Sequence, residues 1–165
     1  MKVIIHDLPQ EEFDKLGFSP EEYKIVDAGR KAAYCQGCFG CWLKTPGKCV
    51  YKDSLEYMGA RLATSEELTV ISRCTYGGYS AGVKRVFDRS IAVSQPLFTY
   101  RAWRTHHVPR YQNRPRFCVY FYGAASDYEK EIARELVQSN AVNLNCSSGK
   151  CVFIESAGQL KEVLA

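Results

Sequence analysis

The stretch "LTVISRCTYGGYSAGVKRVFDRSI", residues 68–91, decides how the rest of the chain is read. Its apolar opening, 68–73, has the length and composition of a buried strand. Ser80 stands where a helix cap belongs, ahead of Val83, Phe87 and Ile91 at helical spacing. Between them Gly77 and Gly78 permit a tight turn with positive φ. Strand, glycine turn and helix in succession form the repeating unit of a parallel sheet covered by crossover helices.

Working outward, "KVIIHD" (2–7) and "YKIVDAG" (23–29) supply two earlier strands, and "RFCVYFYG" (116–123) and "KCVFIE" (150–155) two later ones. Helices are predicted between and after them. One begins near Pro9 and stops at Gly17, and one over 54–64 carries Leu55, Met58 and Leu62 on one face. A third opens with the capping box Ser126 and Glu129 and turns Ile132, Leu136 and Val137 or Asn140 inward. A short helix closes the chain at 157–165. Five strands and five helices in this order predict an α/β protein with a three-layer flavodoxin-like fold. Its five-stranded parallel sheet has strand order 2-1-3-4-5 and helices on both faces. A single domain over 1–165 is expected. Residues 92–115 break the alternation and read as a long lid or interface loop.

In such sheets ligands sit beyond the carboxyl ends of the strands, where the strand order reverses. Three unusual stretches are expected to meet there: His6 and Asp7, the run from Arg73 to Ser80, and a cysteine-rich loop after the second strand.

Composition narrows the function classes. The chain has 165 residues, 46% hydrophobic and 24% charged, as in ordinary globular proteins. The apolar run ahead of His6 is too short for a signal peptide or a membrane span, so a cytoplasmic protein without a membrane partner is expected. Eight cysteines are many for a reducing compartment and point to metal, redox chemistry or burial. A net charge of +4 without like-charge blocks suits a phosphorylated small molecule and gives no argument for nucleic acid.

The loop "CQGCFGCWLKTPGKC" sets Cys35, Cys38, Cys41 and Cys49 close together. Thiolates spaced three apart allow one loop to wrap a [4Fe–4S] cluster, and Gly37 and Gly40 give the backbone freedom to do so. Pro46-Gly47 is a turn that can return Cys49 to the others. Zinc prefers two pairs set well apart, and unmetallated, buried thiols are the third reading. Cys118 and Cys151 lie inside strands as core residues. Cys74 stands beside Arg73, which could activate it, though neutral packing is the simpler role.

The stretches "CQGCFGCWLKTPGKCVYKDS" and "ISRCTYGGYSAGVKRVFDRS" together resemble the flavodoxin-like superfamily, in its branch of NAD(P)H-dependent FMN reductases and iron–sulfur flavoproteins. The resemblance is densest over residues 23–92. It implies FMN at the switch point, with Arg73, Cys74, Thr75, Tyr76, Gly77, Gly78, Tyr79 and Ser80 around the ring. Tyr76 and Tyr79 would offer stacking faces, and NAD(P)H would deliver hydride to an electron carrier that serves a flavin, a quinone or an iron–sulfur acceptor. Lys84, Asp88 and Arg89 read as structural or interface residues.

One departure from the family stands out. Where relatives carry a Ser/Thr/Gly-rich phosphate loop, this chain has "HDLPQEEFDK", with Asp7, Glu11, Glu12 and Asp14 where the phosphate would lie. Either arginines of 92–115 such as Arg104, from the same or a second subunit, take over that role, or a flavin without the ordinary phosphate anchor is used. The alternative is a flavodoxin-like sensor or electron-transfer protein that has lost FMN and uses a cluster or reactive thiols. Basic and aromatic residues mixed through 92–115, with His106 and His107 among them, suit a homo-oligomer interface. A small-molecule redox partner completes the expectation.

Overall fold

The computed structural model describes residues 1–101, 103–160 and 163. Strands β1 (Lys2–His6), β2 (Tyr23–Asp27), β3 (Glu67–Arg73), β6 (Arg116–Tyr122) and β7 (Ser148–Ile154) form one parallel sheet in the order β2-β1-β3-β6-β7. Strands β4 (Ser94–Arg101) and β5 (Arg104–Pro109) pair only with each other, antiparallel. With that hairpin set aside, the order is the 2-1-3-4-5 read from the sequence. Val3, Ile4 and Ile5 point alternately to opposite faces, yet all are fully buried. A central strand covered on both sides has no polar face, which is why the sequence shows apolar runs without alternation.

One face carries α3 (Met58–Thr64), α4 (Ala81–Asp88) and α5 (Asp127–Asn143), packed on Val3, Ile5, Leu68, Val70, Phe117, Val119 and Phe121. The opposite face carries α1 (Gln10–Asp14) and Leu160 against Ile4, Ile71, Tyr120 and Ile154. Ser80 caps α4 by accepting from Val83 N, and the capping box of Ser126 and Glu129 is formed in full. A 3-10 turn, Ala157–Gln159, stands where the last helix is predicted. Residues 161, 162, 164 and 165 of that helix lie outside the described residues. Among the described residues no helix is long and apolar enough to cross a membrane.

Three elements differ from the sequence reading. The stretch 92–115 is a hairpin preceded by a 3-10 turn, Ile91–Val93, rather than an open loop. Its aromatic and β-branched residues pair across the two strands, a pattern that its basic residues disguise. Helix α5 packs through Ala133, Val137 and Ala141 rather than through Ile132. Small side chains let it approach the sheet closely, and Ile132 turns to the segment after β3 instead. On α4, Val86 joins Val83 in the core while Phe87 and Ile91 are only half-buried.

The segment after β2 is held along α4 by arginines. Arg85 donates to the carbonyls of Ala28 and Arg30, both at 2.7 Å. Arg89, its side chain fully buried, grips Asp53 through two hydrogen bonds of 2.8 and 2.9 Å and donates to Ala33 O at 2.7 Å. Gly82 permits the approach: a Cβ there would lie 2.6 Å from Ala28 O. Ala28 lies against the first turn of α4 at Gly82, and Ala33 and Asp53 lie at the helix end. A segment without regular structure thus follows a path as fixed as that of a strand.

Three outcomes follow from these contacts. Gly82→Ala is expected to lower stability by about 1–3 kcal/mol in urea denaturation, since backbone must move to admit the methyl group. The Arg89 hydrogen bonds hold the Asp53 carboxyl down to about 2, from an ordinary 3.8. Because the folded value is depressed, the pair's contribution is full above the ordinary value and is lost as pH falls towards the folded one. Asp53→Asn should therefore flatten the acid limb of a stability–pH curve, and an unchanged limb would refute the coupling. Arg89→Ala, which strands a carboxylate, is expected to cost about 3 kcal/mol.

Candidate functional site

The chain leaves β3 at the carboxyl end of the sheet and turns at once. Thr75 and Gly78 exchange two backbone hydrogen bonds of 2.9 Å, with Tyr76 and Gly77 between them at φ 51 and 76. Positive φ at both central positions makes this the tight hairpin turn that glycine favours. Tyr76 sustains it without being glycine, and its ring is 90% exposed. Gly77 is wedged against α5, where a Cβ would come within 2.9 Å of Glu129 O and of Ile132. Gly78 is different: a Cβ there would make only ordinary contacts, with Thr75 O at 3.5 Å and Leu136 at 3.7 Å. Ile132 and Leu136, expected in the core, thus brace this turn.

Residues on either side anchor it. Arg73 N donates to the Asp7 carboxylate at 3.1 and 3.3 Å, and Cys74 N to Tyr122 O at 2.9 Å. Ser80 N donates to Ser72 Oγ at 3.0 Å. Tyr79 corrects the sequence reading. Its ring packs against Phe87 and Phe121, and its hydroxyl accepts from Asn140 Nδ2 at 3.1 Å. That ring is a core element without a free face for a flavin. Cys74 is buried, and burial pushes its thiol up, so Arg73 does not activate it. Neutral packing is its role.

The stretch after β1 offers nothing to a phosphate. Helix α1 has only five residues, begins after Pro9 and carries Glu11 and Glu12 in its first turn. The carboxylate of Asp7 already takes the Arg73 amide. His6 is fully buried, stacked on Phe13 at 3.7 Å, and burial lowers its pKa. A phosphate brought to this stretch would meet carboxylates.

Cys35, Cys38, Cys41 and Cys49 do come together, lining one small space with Phe39, Arg89 and Ile91. The turn at Pro46-Gly47 acts as the sequence suggests: Gly47 takes φ 84 and donates to Cys41 O at 2.9 Å. Cys41 sits in the short helix α2 (Gly40–Leu43), and burial, followed by the nearby Cys49, raises its pKa. Among the described residues, however, no group of three or more His, Cys, Asp or Glu side chains is placed to hold a metal ion. The cavity is about 10 Å³, far from room for a cubane. As arranged, the quartet does not fit the [4Fe–4S] cluster or zinc. Cys118 and Cys151 are half-buried in their strands rather than enclosed, and burial raises both thiols.

The expected convergence of three stretches on one edge holds for two of them: Asp7 meets the Arg73 amide beside the glycine turn, but the cysteine loop lies elsewhere. The glycine turn lies at the N-terminus of α4, and the thiols lie around Asp88, Arg89 and Ile91 at its other end. An eight-residue helix separates them, roughly 12 Å along its axis. The cause is the arginine-held path of residues 28–35, which carries the loop away from the strand ends. Arg104 is likewise apart from the turn within one chain. It lies exposed on the hairpin, which reaches α5 near its C-terminus through His106 Nδ1 and Asn143 Oδ1 at 3.3 Å. His107 stacks with Phe98 at 4.6 Å and meets Trp42 at 4.8 Å. Sequence reasoning passed over Trp42; its one available signal was a large apolar pair, Trp-Leu, inside a loop of glycine and cysteine.

No family model matches the chain, and no curated protein matches it. Solved structures do. An FMN-dependent NADH-azoreductase from Bacillus anthracis in complex with FMN superposes with a TM-score of 0.58 at 10% identity, over 92% of this chain and 85% of that one. The azoreductase AzrA gives 0.57 at 9% identity, over 98% and 89%. Strand order, crossover helices and these likenesses agree: the chain has the flavodoxin-like fold.

Proposed function

We propose that the protein is an FMN-dependent NAD(P)H oxidoreductase that passes electrons to a small acceptor such as a quinone or a free flavin. The observation that carries this reading is the Thr75–Gly78 turn at the strand-order switch, where Gly78 brings backbone to the surface without a side chain and the Tyr76 ring is exposed. The FMN named for a structure of the same fold supports it. Bound there, the flavin would supply two-electron transfer between a reduced nicotinamide and the acceptor. The chain's own residues have simpler tasks. Gly77, locked on α5, holds the turn rigid, and Gly78 leaves room for a flat ring against backbone. Asn140, through the Tyr79 hydroxyl, fixes the base of the turn. Cys74, held neutral, does not compete as a nucleophile.

The phosphate is assigned to arginines outside this chain's own β1–α1 stretch. Arg104 of a second copy is the candidate, which makes the working form a homo-oligomer. The fully exposed Trp103 and the exposed Tyr100 beside it on the hairpin suit such a contact. A cytoplasmic location goes with this reading. A second reading, a flavin-free redox sensor acting through its thiols, is favoured by the acidic α1 and by Cys49 beside the buried Arg89.

Titration with FMN decides between them. Wild-type protein is expected to bind FMN with the absorption of a protein-bound flavin and to oxidise NADH or NADPH. Gly78→Ala, whose Cβ makes only ordinary contacts in the free protein, should weaken FMN at least about tenfold while leaving the melting temperature in place. Colourless protein that takes up no FMN would overturn the oxidoreductase. Arg104→Ala is expected to lower FMN affinity and shift gel-filtration elution together; identical behaviour to wild type would remove the second-copy assignment.

A further inference from the structure

The hairpin, α2 and the C-terminal ends of α4 and α5 line a half-open cavity of about 500 Å³ that the proposed function does not use. It lies at the opposite end of α4 from the glycine turn. Its size is within the range of roughly 300–1,000 Å³ usual for small-molecule sites.

Aromatic rings form the walls. Trp42 is fixed by donating Nε1–H to Ile91 O at 3.1 Å, and Phe39 lies 5.1 Å from it. Phe98 stacks on His107, which Trp42 meets from another side. Even so, Phe98 is 68% and Phe39 47% exposed, which leaves ring surface uncovered by the described residues. Phe39 also adopts φ 54, a left-handed conformation that costs a non-glycine residue roughly 1 kcal/mol or more. That strain holds its ring at the boundary of the cavity.

Polar groups converge on the same space. His107 Nδ1 is buried without a hydrogen-bond partner, and Thr105, Ser90 and Asn143 line the cavity with it. No Lys or Arg is among the lining residues described, and the one carboxylate, Asp88, is engaged by Lys84 at 2.7 Å. An ionised ligand would find no free counter-charge here, and an aliphatic one would leave the ring faces unused.

From these features we infer that the cavity binds a neutral, planar aromatic of about two fused rings bearing phenolic or quinoid oxygen. The ligand stacks on Phe98 and Phe39 and hydrogen-bonds through its oxygen to the His107 and Asn143 side. Phe39, Asp88 and Ile91 also wall the thiol space, so the two sites share a partition.

The test uses Trp42 as reporter. The chain holds two tryptophans, so Trp103→Phe leaves Trp42 alone. Umbelliferone in its neutral form is the probe, because it is flat, oxygenated and inert to thiols. The expected result is saturable, one-site quenching of Trp42 emission. In the same background, Phe98→Ala and Asn143→Ala should each weaken binding about tenfold. Tyr76→Ala and Gly78→Ala, at the other end of α4, should leave it unchanged, so failure here is separable from failure of the flavin reading. Linear, non-saturating quenching would overturn the inference. Binding that survives both cavity variants, or that is lost with Tyr76→Ala, would also overturn it. So would Phe98→Ala shifting gel-filtration elution with no change in probe affinity, which would mark the face as a contact between copies.

Discussion

Two arginines on one short helix govern the layout of this molecule. Arg85 and Arg89 take carbonyls and a carboxylate from the irregular stretches on either side of α2, and so determine where these can go. Irregular backbone needs partners for its polar groups as much as a strand does, and here α4 supplies them from its side chains. Burial of Arg89 makes the arrangement demanding: with the guanidinium enclosed, Asp53 has to be present and charged. The glycine at position 82 is the steric counterpart, admitting the segment close enough for these bonds to form.

The same helix then separates two kinds of chemistry. At its start is a turn of glycines that backbone hydrogen bonds make rigid and that Ile132 and Leu136 brace from α5. At its end are four thiols, a buried guanidinium and an aromatic cavity. A ligand at one end does not touch a ligand at the other. Any communication between them has to pass through α4 or through the partner helix α5, both of which contribute to each region.

Much of the fold was legible because buried parallel strands write themselves as unbroken apolar runs. The capping residues Ser80 and Ser126 and the turn at Pro46-Gly47 were equally plain, since each is a local signal with a local cause. What the sequence hid was longer in range. Arg89 looked like one more charge on a helix, and only the tertiary path of residues 28–35 reveals it as a clamp. Tyr79 resembled Tyr76 in a glycine-rich loop, but the first side chain points into the sheet and the second into water. The hairpin was misread as a loop because Pro96 and Pro109 interrupt its two strands and neither strand has a continuous buried face. The acidic stretch after β1 was read correctly, and the structure adds that Asp7 is already committed to a backbone amide.

The hairpin's closure has an evolutionary corollary. Arg110 donates from its backbone to Val93 O at 2.9 Å and from its side chain to Ala92 O at 3.0 Å. Beyond it, Asn113 is tied to the carbonyls of Ala63 and Ser65. The excursion is therefore latched at its neck, and β3 and β6 keep their pairing whatever happens at the tip. Homologues are free to lengthen, shorten or rewrite that arm without disturbing the scaffold, so specificity can drift there while the fold stands still.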